Sequence, residues 1–441
     1  MKVIILAGGK GTRMGPLARD LPKPMLPVGG KPILERQIEL ARSAGMPEII
    51  ILAGHRAEAI KAYFGDGAAW GVRIEHVLES LPLGTAGAVK EIEDRLADDF
   101  LVFYGDIIMD MDLAALVAFH RDRKPLATLV LHPNDHPADS DLVDVDQGCR
   151  ITAVHGKPHA PDACHRNLAS AALYVCSPAI LGVIPKGQSS DFARDIFPRL
   201  AGRENGLAGY VTTEYLKDVG TEERLAEVSR DWESGRIARL NRRHRRKAVF
   251  LDRDGVLNED ANPVKISDDL RLILGAAEGL RMINQSEYLA VVITNQPAVA
   301  KGFLDENGLA AIHACLETRL GREGAYLDRI YFCPHHPERG FPGERKEYKL
   351  ECGCRKPKTG LVDRAVAELN IETRGSFFIG DRMTDMLTGL RAGLTTILVR
   401  TGHAGRDLSP DIRPDFTFGD LREAADFIVG RGAKAGLERT P

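Results

Sequence analysis

The chain has 441 residues, 44% of them hydrophobic and 27% charged, with a formal net charge of −3. That length exceeds what one ordinary core serves, and the composition is that of a folded protein rather than a disordered one. The small negative charge gives no global reason to expect nucleic acid or an anionic membrane as partner, and no apolar run approaches the roughly 20 residues of a membrane span.

The first element, "KVIILA", reads as a buried strand. It is too short for a signal peptide and ends in glycines rather than a cleavage site, which leads to the expectation of a cytoplasmic protein. "PILERQIELARSAG" follows as a helix with Ile33, Leu34, Ile38 and Ala41 on one face. "EIIILAG" is a second strand, "AEAIKAYFG" a helix and "DFLVFYGD" another strand. Past the midpoint the habit repeats with "KAVFLD", "YLAVVITN", "GSFFIGD" and "TTILVR". This alternation predicts an α/β chain of two doubly wound, Rossmann-like domains. Open sheets of this kind bind ligands at the carboxyl ends of their strands, so Asp252, Thr294–Asn295 and Asp381 are expected to converge. The expected divisions are a first domain over 1–228, a basic linker helix over 229–246, a second domain over 247–430 and a frayed tail over 431–441. The basic run Arg239–Lys247 is read as a solvated linker rather than a nucleic-acid contact. Of seven cysteines, Cys149, Cys164, Cys176 and Cys315 are scattered, whereas Cys333, Cys352 and Cys354 cluster with His335, a grouping that favours metal over disulfide.

After the first strand comes "LAGGKGTRMG". It is not GxGxxG, because Met14 stands where the third glycine belongs, and it does not fit GxxxxGK[ST] either. Its glycines let backbone N–H groups approach phosphate oxygens, Arg13 and Lys23 add cationic donors, and the prolines around Lys23 restrict the backbone. Asp106 in "YGD" and Asp218 in "LKDVGT" are separated carboxylates suited to Mg²⁺ beside a triphosphate. Together with "LPKPM", "PLGTAGA" and "GKP", these motifs resemble the sugar-1-phosphate nucleotidyltransferase family over about 1–228, with wording similar to its heptose-1-phosphate guanylyltransferase branch. The resemblance implies a GT-A-like domain that transfers a nucleoside monophosphate to a sugar 1-phosphate. Gly8, Gly9, Gly11, Thr12 and Arg13 would hold the triphosphate, and Lys23 would bridge the α-phosphate and the incoming phosphate. Gly84 and Thr85 would lie by the base or ribose, Asp106 and Asp218 would take Mg²⁺, and Lys157 would meet the sugar phosphate. In place of the family's Asn-Ala-Gly-x-Tyr-like segment, this chain has Ser170 and Ala172.

Asp252 and Asp254, at i and i+2, point to one side of an extended strand end. The succession "FLDRDGV", "VITNQ", "CRKPK", "FIGDRMTD" resembles the haloacid dehalogenase superfamily over about 247–430. The resemblance implies that Asp252 attacks phosphorus and that Asp254 exchanges protons with the leaving group and water. It also implies that Thr294, Asn295, Gln296, Arg355, Lys356 and Arg382 surround the phosphate and substrate. Mg²⁺ would sit on Asp252, the Asp254 carbonyl and Asp381, with Asp385 in support. Only a short stretch separates Asp254 from Thr294, so a capless domain is expected. In the loop 333–354, Cys333-x-His335 and Cys352-x-Cys354 supply a Cys₃His tetrahedral set suited to Zn²⁺, which the resemblance implies is structural, with His336 left outside it. Here the resemblance narrows to the heptose-bisphosphate phosphatase branch and the related histidinol-phosphatases; "TNQPAVAKG" departs from the branch at Pro297 and Lys301.

The joint expectation is a bifunctional enzyme acting on small molecules, heptose phosphates and GTP, with Mg²⁺ at both sites and Zn²⁺ in the second domain. Other readings are a mannose 1-phosphate nucleotidyltransferase fused to a different phosphatase, and a regulatory sensor with one decayed domain.

Overall fold

The computed structural model describes residues 1–9, 21–79, 81–260, 264–407 and 409–437. The chain divides into two compact units. Met1–His132, Asp139–His159 and Leu168–Asn241 form the first; Pro133–Ala138, Ala160–Asn167 and Arg242–Pro441 form the second.

In the first unit, strand Lys2–Ala7 lies inside a nine-stranded sheet, parallel to Glu48–Ala53 on one side and Phe100–Tyr104 on the other. Val3, Ile5 and Ala7 enter one core cluster while Ile4 enters another. Apolar side chains on both faces are what a covered parallel strand requires. Arg73–Leu78 extends the parallel part. Ala169–Cys176 runs antiparallel to both Phe100–Tyr104 and Ala127–His132, so the sheet is mixed. Helix Ile33–Ser43 buries the four expected residues, and also Glu35 and Gln37. The Gln37 amide donates to the carbonyls of Tyr104 and Ile107, each at 2.8 Å, which ties the helix to the turn carrying Asp106.

The second unit holds a six-stranded sheet in the order Arg329–Cys333, Tyr288–Asn295, Lys247–Leu251, Phe377–Gly380, Thr395–Val399, Phe416–Phe418. All of its pairings are parallel. The chain starts in the middle and winds outward both ways, which places the change of direction beside the strand that ends at Asp252. Between Asp254 and Thr294 the described residues hold a 3₁₀ turn, Ser267–Asp269, and one crossover helix, Ala276–Asn284.

Three features differ from the sequence expectation. Residues 229–246 are not one solvated helix. Helix Glu222–Glu233 stops at Gly235, which has φ +73°, and a short helix Arg236–Arg239 follows. Arg236, Asn241 and Arg246 are buried. Arg236 pairs with Asp231 at 2.7 Å, and Arg246 donates to the Leu369 carbonyl, because buried guanidinium groups demand partners. The last helix, Leu421–Leu437, runs into the segment expected as a tail. Finally, Ala160–Asn167 belongs to the second unit. Cys164 is disulfide-bonded to Cys315, Arg166 pairs with the buried Glu317 at 2.6 Å, and the Thr318 hydroxyl donates to the His165 carbonyl at 2.9 Å.

Candidate functional site

In the second unit the parallel sheet brings the expected residues together. Asp252 follows strand Lys247–Leu251, Thr294 and Asn295 end Tyr288–Asn295, Cys333 ends Arg329–Cys333, and Asp381 follows Phe377–Gly380. These strands are neighbours, so their ends form one cluster. Asp252 is 7% exposed, Lys356 3%, Asp381 and Asp385 0%. Lys356 Nζ lies 2.9 Å from Asp252 and 2.6 Å from Asp385. Asn295 clamps Lys356 reciprocally: its side-chain oxygen accepts from the Lys356 N–H at 3.0 Å and its amide donates to the Lys356 carbonyl at 3.2 Å. Gly255, with φ +82°, packs so closely on this cluster that a Cβ there would lie 2.3 Å from Asp381 Oδ2.

Asp252, Asp381 and Asp385 each offer an oxygen within 4.8 Å of the others. Burial, partly offset by Lys356, pushes Asp252 up to about 6, and burial together with Asp252 pushes Asp381 up to about 7. Asp381 Oδ1 is buried with no hydrogen-bond partner among the described residues. Crowded oxygen donors that resist ionisation alone fit a hard divalent cation.

Asp254 stands apart from that cluster, and sequence reasoning did not foresee why. Arg253, 1% exposed, folds back so that its Nη2 donates to both Asp254 oxygens at 2.8 Å. Asn258 and Gln296 donate to the same carboxylate, each at 2.8 Å, and Gln296 also reaches Thr294 at 2.9 Å. Burial acts to raise Asp254, but Arg253 and these bonds outweigh it and hold the carboxyl below its ordinary value. Arg382 pairs with Asp260 at 2.5 Å and contacts His403.

Cys333, His335, Cys352 and Cys354 converge as expected. Their donor atoms are 3.2–3.6 Å apart in the measured pairs. Tetrahedral zinc with its usual bond lengths separates such donors by about 3.5–3.8 Å, so the set fits that ion. His336 is outside the cluster, packed against Phe341. Arg355 follows Cys354 and donates to the His335 carbonyl at 3.2 Å, which joins the loop to the residue before Lys356.

In the first unit, Gly8 and Gly9 follow strand Lys2–Ala7. A Cβ on Gly8 would come within 2.9 Å of the Glu79 carboxylate, whereas one on Gly9 would meet no atom of the described residues within 4 Å. Gly11, Thr12 and Arg13 lie outside the described residues. Lys23 opens the turn Lys23–Met25 and its Nζ lies 3.7 Å from Asp106. Strands Ile107–Asp110 and Tyr215–Asp218 pair antiparallel with Ile107 opposite Asp218, and the Val219 N–H donates to the Asp106 carbonyl at 2.8 Å. That register sets Asp218 across from the residue that follows Asp106. Asp218 pairs with Arg224 at 2.6 Å, and Lys157 pairs with Asp139 at 3.1 Å. Gly84 abuts the Ser190 carbonyl, and the Thr85 hydroxyl donates to Asp191 at 2.8 Å and accepts from the Phe192 N–H at 3.0 Å. Among the described residues no helix is long and apolar enough to cross a membrane.

Residues 2–235 match the family model described as Nucleotidyl transferase, and residues 353–424 match one described as HAD-hydrolase-like. The chain is 36% identical over 230 residues to the mannose-1-phosphate guanylyltransferase of Mycobacterium tuberculosis, covering 52% of this chain and 63% of that relative. It therefore spans less than two thirds of that protein's length. It is 40% identical over 161 residues to the D-glycero-beta-D-manno-heptose-1,7-bisphosphate 7-phosphatase of Haemophilus ducreyi, covering 36% of this chain and 86% of the relative. The solved structure of HddC from Yersinia pseudotuberculosis complexed with GMP-PN aligns with a TM-score of 0.46 at 25% identity, covering 52% of this chain and 99% of that one. With more than half its length in the first model, the chain belongs to the nucleotidyl transferase family, and its 161-residue match places it also in the family of the heptose-1,7-bisphosphate 7-phosphatases.

Proposed function

We propose that the chain is a bifunctional enzyme of nucleotide-activated heptose synthesis. Its second unit hydrolyses the 7-phosphate of D-glycero-D-manno-heptose 1,7-bisphosphate, and its first transfers GMP from GTP to the heptose 1-phosphate so formed. The observation that carries this reading is the buried Asp252–Lys356 pair at 2.9 Å, with Asp254 two residues away in a separate hydrogen-bonding pocket. A nucleophile and a proton carrier held apart by different partners match a two-step phosphomonoesterase.

Asp252 attacks phosphorus as the bond to the C7 oxygen breaks, giving an aspartyl-phosphate. Lys356 neutralises charge on the phosphoryl group, and Thr294 donates to one of its oxygens. Asp254 is held as the carboxylate, the form that takes a proton from water when the aspartyl-phosphate is hydrolysed. To deliver a proton to the leaving alkoxide, Asp254 must first take one up from water, which a loosened contact with Arg253 as substrate enters would favour; the aspartyl-phosphate step then leaves it as the carboxylate again. Asp252, the Asp254 carbonyl and Asp381 would hold Mg²⁺, which would supply Lewis-acid polarisation of the phosphoryl oxygens. Zn²⁺ on Cys333, His335, Cys352 and Cys354 would pin the loop that presents Arg355 and Lys356.

In the first unit, an oxygen of the sugar 1-phosphate attacks the α-phosphorus of GTP and pyrophosphate leaves. A phosphate nucleophile is already ionised near neutral pH, so no general base is required. Lys23 lies between the two reacting phosphates and beside Asp106, and Asp106 and Asp218 would hold Mg²⁺. The likeness to a mannose-1-phosphate guanylyltransferase supports a second reading with mannose 1-phosphate as acceptor.

The test offers the chain heptose 1,7-bisphosphate anomers, or mannose 1-phosphate, with each nucleoside triphosphate. Phosphate and pyrophosphate are assayed separately and products identified by mass. Absence of phosphate release from the bisphosphate removes the first step. Transfer to mannose 1-phosphate alone selects the second reading.

A further inference from the structure

Arg224 stands three residues after Thr221 in "DVGTEER", in the first turn of helix Glu222–Glu233. The Thr221 hydroxyl accepts from the Arg224 N–H at 3.3 Å, which fixes the start of that turn. The guanidinium reaches two carboxylates, Asp218 at 2.6 Å and Asp139 at 3.6 Å. Asp139 in turn holds Lys157. Its Oδ1 lies 3.1 Å from Lys157 Nζ, its carbonyl accepts from the same ammonium at 2.6 Å, and its Oδ2 is the oxygen facing Arg224. One carboxylate thus sits between two cations with an oxygen toward each, as a phosphate would. Asp139 is 53% exposed and Arg224 only 18%. The anion can swing into water while the guanidinium stays.

We infer that Arg224 is a second cation of the sugar-phosphate site, and that Asp139 is a built-in stand-in for that phosphate, displaced when substrate binds. The inference rests on the transferase reading, in which Lys157 meets the sugar phosphate. Exposed ion pairs contribute little, so a phosphate that competes for both cations can take the place of the Asp139 carboxylate. A phosphate dianion offers more charge and fork-matched acceptors to a guanidinium. Because Arg224 also holds Asp218, a phosphate it captures is brought beside the expected metal carboxylate. A neutral sugar cannot displace Asp139, which favours phosphorylated acceptors.

The experiment measures binding of mannose 1-phosphate and of heptose 1-phosphate to the full chain by calorimetry, and pyrophosphate release with GTP. It compares wild type with Asp139→Asn, Arg224→Met and Arg224→Lys, each checked for a thermal midpoint within about 2 °C of wild type. Asp139→Asn should tighten sugar-phosphate binding about threefold or more, Arg224→Met should weaken it about tenfold, and Arg224→Lys should restore part of the loss, each change exceeding any change in the KM for GTP. Weaker or unchanged binding in Asp139→Asn would mean that Asp139 only positions Lys157, and the inference falls. An Arg224→Met effect confined to GTP overturns it as well, as does an absence of binding in every variant. If binding responds as expected but no pyrophosphate appears, the transferase reading fails while the anion site stands.

Discussion

Asp252 and Lys356 are almost wholly buried, whereas the side chains of Asp106 and Asp218 keep 33% and 36% of their surface in solvent. The difference follows from the nucleophile each proposed reaction uses. In the second unit a protein carboxylate must bond to phosphorus, so it is stripped of water and held by a buried ammonium. In the first unit the substrate supplies its own ionised phosphate, and the protein has only to bring cations and a pair of carboxylates to an accessible surface. Burial accordingly shifts the titration of Asp252 and Asp381 in one unit. In the other, charge is arranged in open ion pairs such as Lys157–Asp139.

The sharpest way to break this contrast is Asp252→Asn. Phosphate release should fall by roughly 10⁴-fold while pyrophosphate release is retained. Loss of both activities would show that the two sites are not chemically independent. Next in size is Lys23→Ala, which should reduce nucleotidyl transfer by about 10²–10³-fold with phosphate release unchanged; near-normal transfer would remove Lys23 from the site. Smaller again is removal of the zinc proposed at Cys333, His335, Cys352 and Cys354. Elemental analysis should find about one zinc per chain, and a chelator or Cys354→Ser should lower phosphate release about tenfold or more, leaving transfer intact. Equal activity with and without zinc would confine the ion to no role in presenting Lys356. The smallest effect concerns Ala172. It stands where the resembled family has glycine and takes φ +50°, beside an irregularity in the pairing of Ala169–Cys176 with Ala127–His132. A Cβ in that conformation costs about 1 kcal/mol, so Ala172→Gly should raise thermal stability slightly. A lower melting midpoint would refute that account.

Much of both sites could be read from local pattern. Apolar runs such as "KAVFLD" specify a strand and put its terminal aspartate at the carboxyl end of the sheet, where neighbouring strand ends gather. The closely spaced Cys-x-His and Cys-x-Cys pairs announce a tetrahedral set because each pair is nearly local. What escaped were contacts whose partners are chosen by packing. Arg253 could have pointed into solvent; burial and the adjacent Asp254 turned it inward, and with Gln296 it defined that carboxylate's pocket. Thr85, expected by the base or ribose, has its hydroxyl engaged by Asp191 and Phe192, more than a hundred residues away.

By itself, then, the sequence determined the strand-and-helix alternation, the carboxylates at strand ends and the Cys/His grouping of the loop, because these depend on residue chemistry and short spacing. Only the tertiary structure decided that Cys164 meets Cys315, separated by 151 residues, that Ala160–Asn167 packs into the second unit, and that Asp139 sits between Lys157 and Arg224. Such pairings are set by which surfaces the folded core brings together, and no local periodicity encodes them.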